Sequence, residues 1–365
     1  MGMSHPASNA LPDPAFWRGK RVLITGHTGF KGCWLALWLY SMGAEINGVA
    51  LDPPTNPNLF SLAHLSEVLS SDIRVDIRDE KKVLEAFFRV QPEIVIHMAA
   101  QALVRPSYSQ PLHTFATNAL GTATILEAIR KTRSVKVAVM ITTDKVYKNR
   151  EWFYPYREID TLGGNDPYSA SKACAEMIIH SYRCSFLEGQ GKSISSARAG
   201  NVIGGGDWSE DRLIPDAIQA FISNTTLQLR NPDAIRPWQH ILDALSGYLL
   251  LAEAQWKDPM QYAKAWNFAP DSGTEATVGY VASQLIDSWG DGAQFTILTS
   301  PDNPAEAELL RLDSSMARTH LGWQPRWSLD DALKNTVAWY KNWVNGGDIQ
   351  RYSLNQIQSY ISGDS

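Results

Sequence analysis

The stretch ITTDKVYKN, residues 141–149, ends an apolar run on two threonines, an aspartate and a lysine. Thr143 offers a hydroxyl, Asp144 a carboxyl and Lys145 an amine side by side, a set suited to proton transfer. An ion pair or turn on the surface is the plainer alternative for Asp144 and Lys145. Downstream, DPYSASKACAEMII sets Tyr168 and Lys172 four residues apart, with Asp166 as a helix N-cap and Pro167 in the first turn. On a helix that spacing puts both side chains on one face, one turn apart. An ammonium near a phenol favours the phenolate, so the pair is expected to lower the tyrosine pKa until it takes a proton from a hydroxyl.

These residues must be positioned by regular elements. From Lys20 onward, short β-rich runs alternate with helical ones, the pattern of βαβ units and a parallel sheet covered on both faces. RVLITG, EINGVALD, SDIRVDI, EIVIHMAA, VKVAVMITT and SISSARAG read as six strands. CWLALWLYSMG reads as a helix closing on Gly43, and EKKVLEAFFRV as one capped by Asp79. After Gly200 the texture turns to loops punctuated by Gly and Pro. The fold class is α/β, a doubly wound Rossmann-type parallel sheet with a second, smaller α/β lobe for substrate. Residues 18–200 form the cofactor domain, to which 237–268 return; 201–236 and 269–358 form the lobe, and 1–17 a flexible lead-in.

VLITGHTGFKG places Gly26, Gly29 and Gly32 at the first strand-to-helix turn. Glycines there allow a tight turn and let backbone N–H groups approach a pyrophosphate at the helix N-terminus. The second strand ends in Asp52, whose carboxylate suits ribose hydroxyls and repels a 2′-phosphate, favouring NAD over NADP. Asp52 is otherwise a turn residue, and Lys31 in the glycine loop is compatible with a phosphate.

With 365 residues and a net charge of −5, the chain lacks the basic footprint of a nucleic-acid or membrane-surface binder. A small molecule is the expected partner. No apolar run approaches a bilayer span, the N-terminus carries no secretory pattern, and cytoplasm is the expected compartment. Cys33, Cys174 and Cys184 make no CxxC pair and read as buried structural thiols. The histidines show no metal-binding spacing, so no metal is implied. Most of the 13 tryptophans are expected in the core or between lobes rather than stacked on a sugar.

TGHTGFKG, HMAAQ, TNALGT, TTDKVY and YSASK together resemble the extended short-chain dehydrogenase/reductase family over nearly all of residues 18–345. Within it the chain looks most like the nucleotide-sugar 4,6-dehydratases, and the stretch from Thr142 to Glu176 is similar to those acting on CDP-glucose. The resemblance implies that Tyr168, with Lys172 and Thr143, oxidises C4 of the sugar with NAD. Water is then lost across C5 and C6, and hydride returns to C6. Asp144 would be the C6 acid; Lys145, where many relatives carry glutamate, would be the C5 base or a stabiliser of the enolate.

The resemblance further places Thr28, Phe30, Ala99, Ala100, Gln101 and Thr142 beside the cofactor. It puts Asp76 and Ile77 at the adenine, although Asp76 equally suits a turn cap. Arg105, Asn201, Arg212 and Arg236 fall to the sugar nucleotide, with Arg236 foremost for phosphate. It implies a homodimer or homotetramer, with TFATNALGTATILEAIRK and ASKACAEMIIHSYRCSF as interface helices, and a role in deoxysugar synthesis for surface polysaccharide such as lipopolysaccharide O-antigen. Two rivals remain: a nucleotide-sugar 4-epimerase, which needs no acid and amine for water loss, and a non-catalytic NAD-binding sensor.

Overall fold

The computed structural model describes residues 9–271, 273, 274, 276–290, 292–298 and 309–363. Seven parallel strands build one sheet: β1 Arg21–Thr25, β2 Glu45–Ala50, β3 Ser71–Arg74, β4 Ile94–His97, β5 Val137–Ile141, β6 Ser193–Ala199 and β7 Ala265–Phe268. Their spatial order is β7-β6-β5-β4-β1-β2-β3. The chain lays β1, β2 and β3 outward in one direction, then crosses back to place β4 on the other side of β1. The crevice at the β1/β4 boundary is the topological switch point, where such sheets bind ligands.

The strands other than β3 are buried almost throughout because both faces are covered. Successive side chains alternate between two cores. Val22, Ile24, Ile96 and Val139 join α1 (Phe30–Ser41), while Leu23, Val95, Ala138 and Met140 join α2 (Glu80–Val90) and α3 (Gly121–Lys131). The first core runs on into the smaller lobe, through Phe221, Leu227, Trp289 and Trp339. Helix α4 spans Pro167–Tyr182, and the Asp166 side chain accepts from Ser169 N at 2.9 Å. Asp79 caps α2 in the same way through Lys82 N. Gly43 follows α1 with φ of +77°, the left-handed conformation that stops the helix.

The sheet has one strand more than the six read from sequence. β7 is only AWNF, with Asn267 interrupting its apolar residues, and it pairs with β6 while Trp266 and Phe268 are buried. Helix α5 (Ile241–Lys257) packs on β5 and β6. Two short ladders hold the lobe near the cavity, Ile235–Arg236 with Ala276–Thr277 and Leu227–Leu229 with Phe295–Ile297.

Two expectations need correction. Only Cys33 is buried; Cys174, midway along α4, is partly exposed, and Cys184, in the π-helical turn after α4, is exposed. The flexible lead-in stops short of residue 13: Asp13 N and Trp17 Nε1 both donate to Glu253 Oε1, and Trp17 is fully buried. Residues 1–8 lie outside the described residues.

Candidate active site

A cavity of about 1050 Å³ opens at the switch point and extends into the smaller lobe. Every residue assigned above to catalysis, cofactor or substrate lines it, from Gly26 and Asp52 at one end to Arg236 at the other. The glycine turn is built for close approach. Gly26 adopts φ of +78°, and a Cβ there would lie 2.8 Å from Ala99 N; one on Gly32 would lie 2.2 Å from Gly26 O. The turn therefore brings the β1 and β4 ends together and points the N-terminus of α1 into the cavity, a cradle that fits a dinucleotide pyrophosphate.

Asp52 and Asp76 stand beyond the strands, which stop at Ala50 and Arg74. Asp52 is exposed at the mouth, 3.8 Å from Arg74 Nε. Asp76 both lines the cavity and accepts from Arg78 N, so it also caps its turn. Asn118 is buried and ties Gln101 to Ser171 with both ends of its amide, a structural brace within a π-helical turn.

The reactive groups gather at the end of β5. Thr143 Oγ1 donates to Asp144 Oδ1 at 2.8 Å, and Lys145 Nζ lies 3.6 Å from the same oxygen. Asp144 is 1% exposed, whereas the Lys145 side chain is 32% exposed and can reach cavity contents. Lys172 Nζ donates to Ile141 O at 3.2 Å. Burial pulls this ammonium down to about 8, with the Glu176 carboxylate opposing. Tyr168 departs from expectation: burial pushes its phenol up to about 12, against a hydrogen bond to Thr143 and aided by the Asp144 charge. The lysine does not reverse this because its ammonium is directed at the Ile141 carbonyl. Lys31 also faces this end, drawn down to about 8 by burial and by the charges of Arg212 and Lys172.

At the lobe end, Arg105 Nη1 and Arg230 Nη2 lie 3.2 and 2.9 Å from Asp211 Oδ1, and Arg212 Nη1 lies 2.8 Å from Asp207 Oδ2. Arg236 Nη1 donates to its neighbour's carbonyl, Ile235 O. Asn201 O accepts from Gln239 N. Sequence reading missed Asp207, Asp211, Arg230, Glu176 and Arg198. Only Glu176 carried a local signal, being the next step of the Tyr168, Lys172 series on one helix face. Of the tryptophans, Trp238 alone among the described residues lines the cavity. No helix among the described residues is long and apolar enough to cross a membrane, and no cluster of three His, Cys, Asp or Glu among them could hold a metal.

A family model described as GDP-mannose 4,6 dehydratase matches residues 23–336. The chain belongs to this family. A curated CDP-glucose 4,6-dehydratase of Salmonella typhimurium is 46% identical over 355 residues, covering 96% of this chain and 98% of that one. Members with other nucleotides stand further off: a probable dTDP-glucose 4,6-dehydratase of Sinorhizobium fredii is 26% identical, over 88% of this chain and 92% of its own. Among solved structures, a dTDP-glucose 4,6-dehydratase of Streptomyces venezuelae with NAD bound superposes with a TM-score of 0.75 at 22% identity, over 90% of this chain and 98% of its own. The UDP-glucose 4-epimerase of Thermotoga maritima gives 0.74 at 22%, over 88% and 99%. At that identity the likeness is one of fold, a Rossmann-type sheet shared by family dehydratases and epimerases alike.

Proposed function

We propose that this chain is an NAD-dependent hydro-lyase converting CDP-D-glucose into CDP-4-dehydro-6-deoxy-D-glucose. The observation that carries the proposal is the Asp144–Lys145 pair beside Thr143 and Tyr168 in one cavity. Oxidation at C4 needs only the tyrosine, lysine and threonine; loss of water needs a further acid and base, and this pair supplies them. An epimerase has no use for such a pair. The cytidine nucleotide is supported by the 46% identical relative, which exceeds the dTDP-glucose relative by a wide margin.

The glycine cradle, the Asp52 carboxylate and the small side chains after β4 fit NAD. When bound, NAD accepts the C4 hydride and later gives it back at C6. Tyr168 acts as its phenolate, which the Lys172 ammonium favours by its charge, and becomes the neutral phenol on taking the C4 hydroxyl proton through Thr143. The 4-ketone acidifies the C5 hydrogen. A carboxylate and an ammonium have the wrong protonation states to act as acid and base, but a proton passed from Lys145 to Asp144 makes them a neutral amine and a carboxylic acid. Lys145 then takes the C5 proton, Asp144 gives its proton to the departing C6 hydroxyl, the original ion pair is restored, and C5 takes a solvent-derived proton back from Lys145 as hydride returns to C6. Arg212 and Arg236, with Asn201, serve the diphosphate from the lobe, and Arg105 stands near the substrate from the cofactor side.

The same reading assigns residues 18–200 and 237–268 to the cofactor and 201–236 and 269–358 to the sugar nucleotide, in the cytoplasm. It includes a homodimer or homotetramer through α4 and the helical run ending in α3, which expose Met177, Leu112 and Leu120. The test is incubation with NAD and CDP-glucose, dTDP-glucose, UDP-glucose or GDP-mannose in parallel, followed by mass spectrometry. Loss of one water from CDP-glucose alone is expected. A CDP-hexose epimer with its C6 hydroxyl intact would overturn the dehydratase reading.

A further inference from the structure

Glu176 lies one turn beyond Lys172 and two beyond Tyr168 on α4, so the three form one stripe on the helix face toward the end of β5. It is 5% exposed, and each carboxylate oxygen accepts two hydrogen bonds. Oε1 accepts from Thr142 Oγ1 at 2.5 Å and Arg198 Nε at 2.8 Å; Oε2 accepts from Ser196 Oγ at 2.7 Å and Arg198 Nη2 at 2.8 Å. Burial drives the carboxyl upward, and Arg198 with the two hydroxyls more than reverses it, so Glu176 stays below the ordinary range and ionised.

A buried ion pair gains little stability over apolar side chains of the same volume, so its contacts are the better guide to its use. They converge on the catalytic segment. Ile141 O receives Lys172 Nζ, Thr142 Oγ1 is held by Glu176, and Thr143 follows with extended backbone, φ −154° and ψ 161°. Side chains alternate along extended backbone, so the hydroxyl of Thr142 is anchored under α4 while that of Thr143 reaches Asp144. The far side of Arg198 is also fixed. Its Nη1 donates to Tyr147 OH at 2.7 Å, which donates to Asn267 Oδ1 on β7 at 2.7 Å. The unit thus braces both ends of the Thr143–Lys145 turn, before it at Thr142 and after it at Tyr147.

We propose that Glu176, locked by Arg198, is a positioning residue that clamps Thr142 and thereby sets Thr143 and Asp144 against Tyr168. The proposal rests on the dehydratase reading of this site and assigns the Thr142 hydroxyl to the clamp rather than to the cofactor. The test compares three variants of the full chain: Thr142→Val, Thr142→Ser and Ser196→Ala. Ser196 gives Glu176 the same kind of hydrogen bond from β6, outside the cavity lining, so its loss mimics the structural damage without touching the catalytic segment.

For each variant kcat, the KM for CDP-glucose and for NAD, the thermal unfolding temperature, and hydrogen exchange of residues 141–147 without ligand are measured. Thr142→Val and Ser196→Ala should lower the unfolding temperature similarly, by a few degrees. Displacement of reacting groups by less than 1 Å predicts that Thr142→Val loses about tenfold or more in kcat, with both KM values within about twofold. Ser196→Ala should stay within about twofold of the parent and Thr142→Ser within about threefold, the latter restoring the hydroxyl. Exchange over 141–147 should quicken in Thr142→Val alone. Equal kcat loss in Thr142→Val and Ser196→Ala, or a rise confined to the KM for NAD, would overturn the clamp. Should the parent chain leave CDP-glucose unchanged, the dehydratase reading fails by itself. The exchange measurement then still decides: quickening in Thr142→Val upholds the clamp, and unchanged exchange sinks it.

Discussion

Replacing Gly32 with alanine perturbs the cofactor cradle at its tightest point. The new Cβ would lie 2.2 Å from Gly26 O, 2.7 Å from His27 Cα and 2.8 Å from Gly26 C, all of them backbone atoms. Ordinary contact needs about 3.4 Å or more, so the turn and the first turn of α1 must part by about 1 Å. Neither yields freely. Gly26 N is bonded to Val49 O and Gly29 N to Gly26 O, while Trp34 and Trp38 hold α1 in the core. Overpacking of this kind costs about 1–3 kcal/mol of stability. The effect on NAD should be larger in proportion, because the backbone N–H groups that receive the pyrophosphate move with the turn. Loss of two such charge-assisted hydrogen bonds, at about 1.5 kcal/mol each, amounts to about 3 kcal/mol, or roughly a hundredfold in Kd. Isothermal titration with NAD checks this, with Gly189→Ala as control, since a Cβ there meets nothing within 4 Å. A Gly32→Ala protein that folds and binds NAD within about threefold of the parent would refute the cradle.

Lys145→Ala should abolish exchange of the C5 hydrogen with solvent while leaving C4 oxidation measurable; exchange at the parental rate would remove Lys145 from the base role. Burial pushes the Asp243 carboxyl up to about 7, while Arg326 N and Tyr360 OH, both donating to it, work the other way. The folded chain therefore keeps a proton that the unfolded chain releases near pH 4, and the stability this group contributes is full below pH 4 and lost as pH rises through 7. Asp243→Asn should flatten that dependence in denaturant titrations at pH 5 and pH 8, and an unchanged pH profile would count against the buried neutral acid. A Leu120→Glu, Met177→Glu double variant should shift sedimentation toward the monomer; an unaltered sedimentation profile would place the interface elsewhere.

Much of the frame is legible in the residues themselves. β1, β4 and β5 announce themselves as apolar runs, and Asp79 and Asp166 announce the starts of their helices because an acid before a helical stretch has a local role. β7 escapes because AWNF is broken by Asn267, and its place is fixed by pairing with β6. The same division holds within the cavity. Tyr168 and Lys172 are visible because one helix spaces them, whereas Asp211 meets Arg105 across more than a hundred residues, a contact only the tertiary fold creates. The Tyr168 phenol shows the limit of reasoning from a neighbour's charge. Lys172 is near in sequence, but its ammonium turns to Ile141 O, and burial decides the direction of the shift.

Isotope transfer tests the proposed chemistry most directly. CDP-glucose carrying deuterium at C4 is incubated with the protein and NAD in ordinary water, and the product is examined by mass spectrometry and NMR. Loss of one water with the deuterium retained and relocated to C6 is expected, together with a solvent proton at C5. A product that keeps deuterium at C4, or one in which C6 still bears its hydroxyl, would contradict the sequence of oxidation, elimination and hydride return at this site.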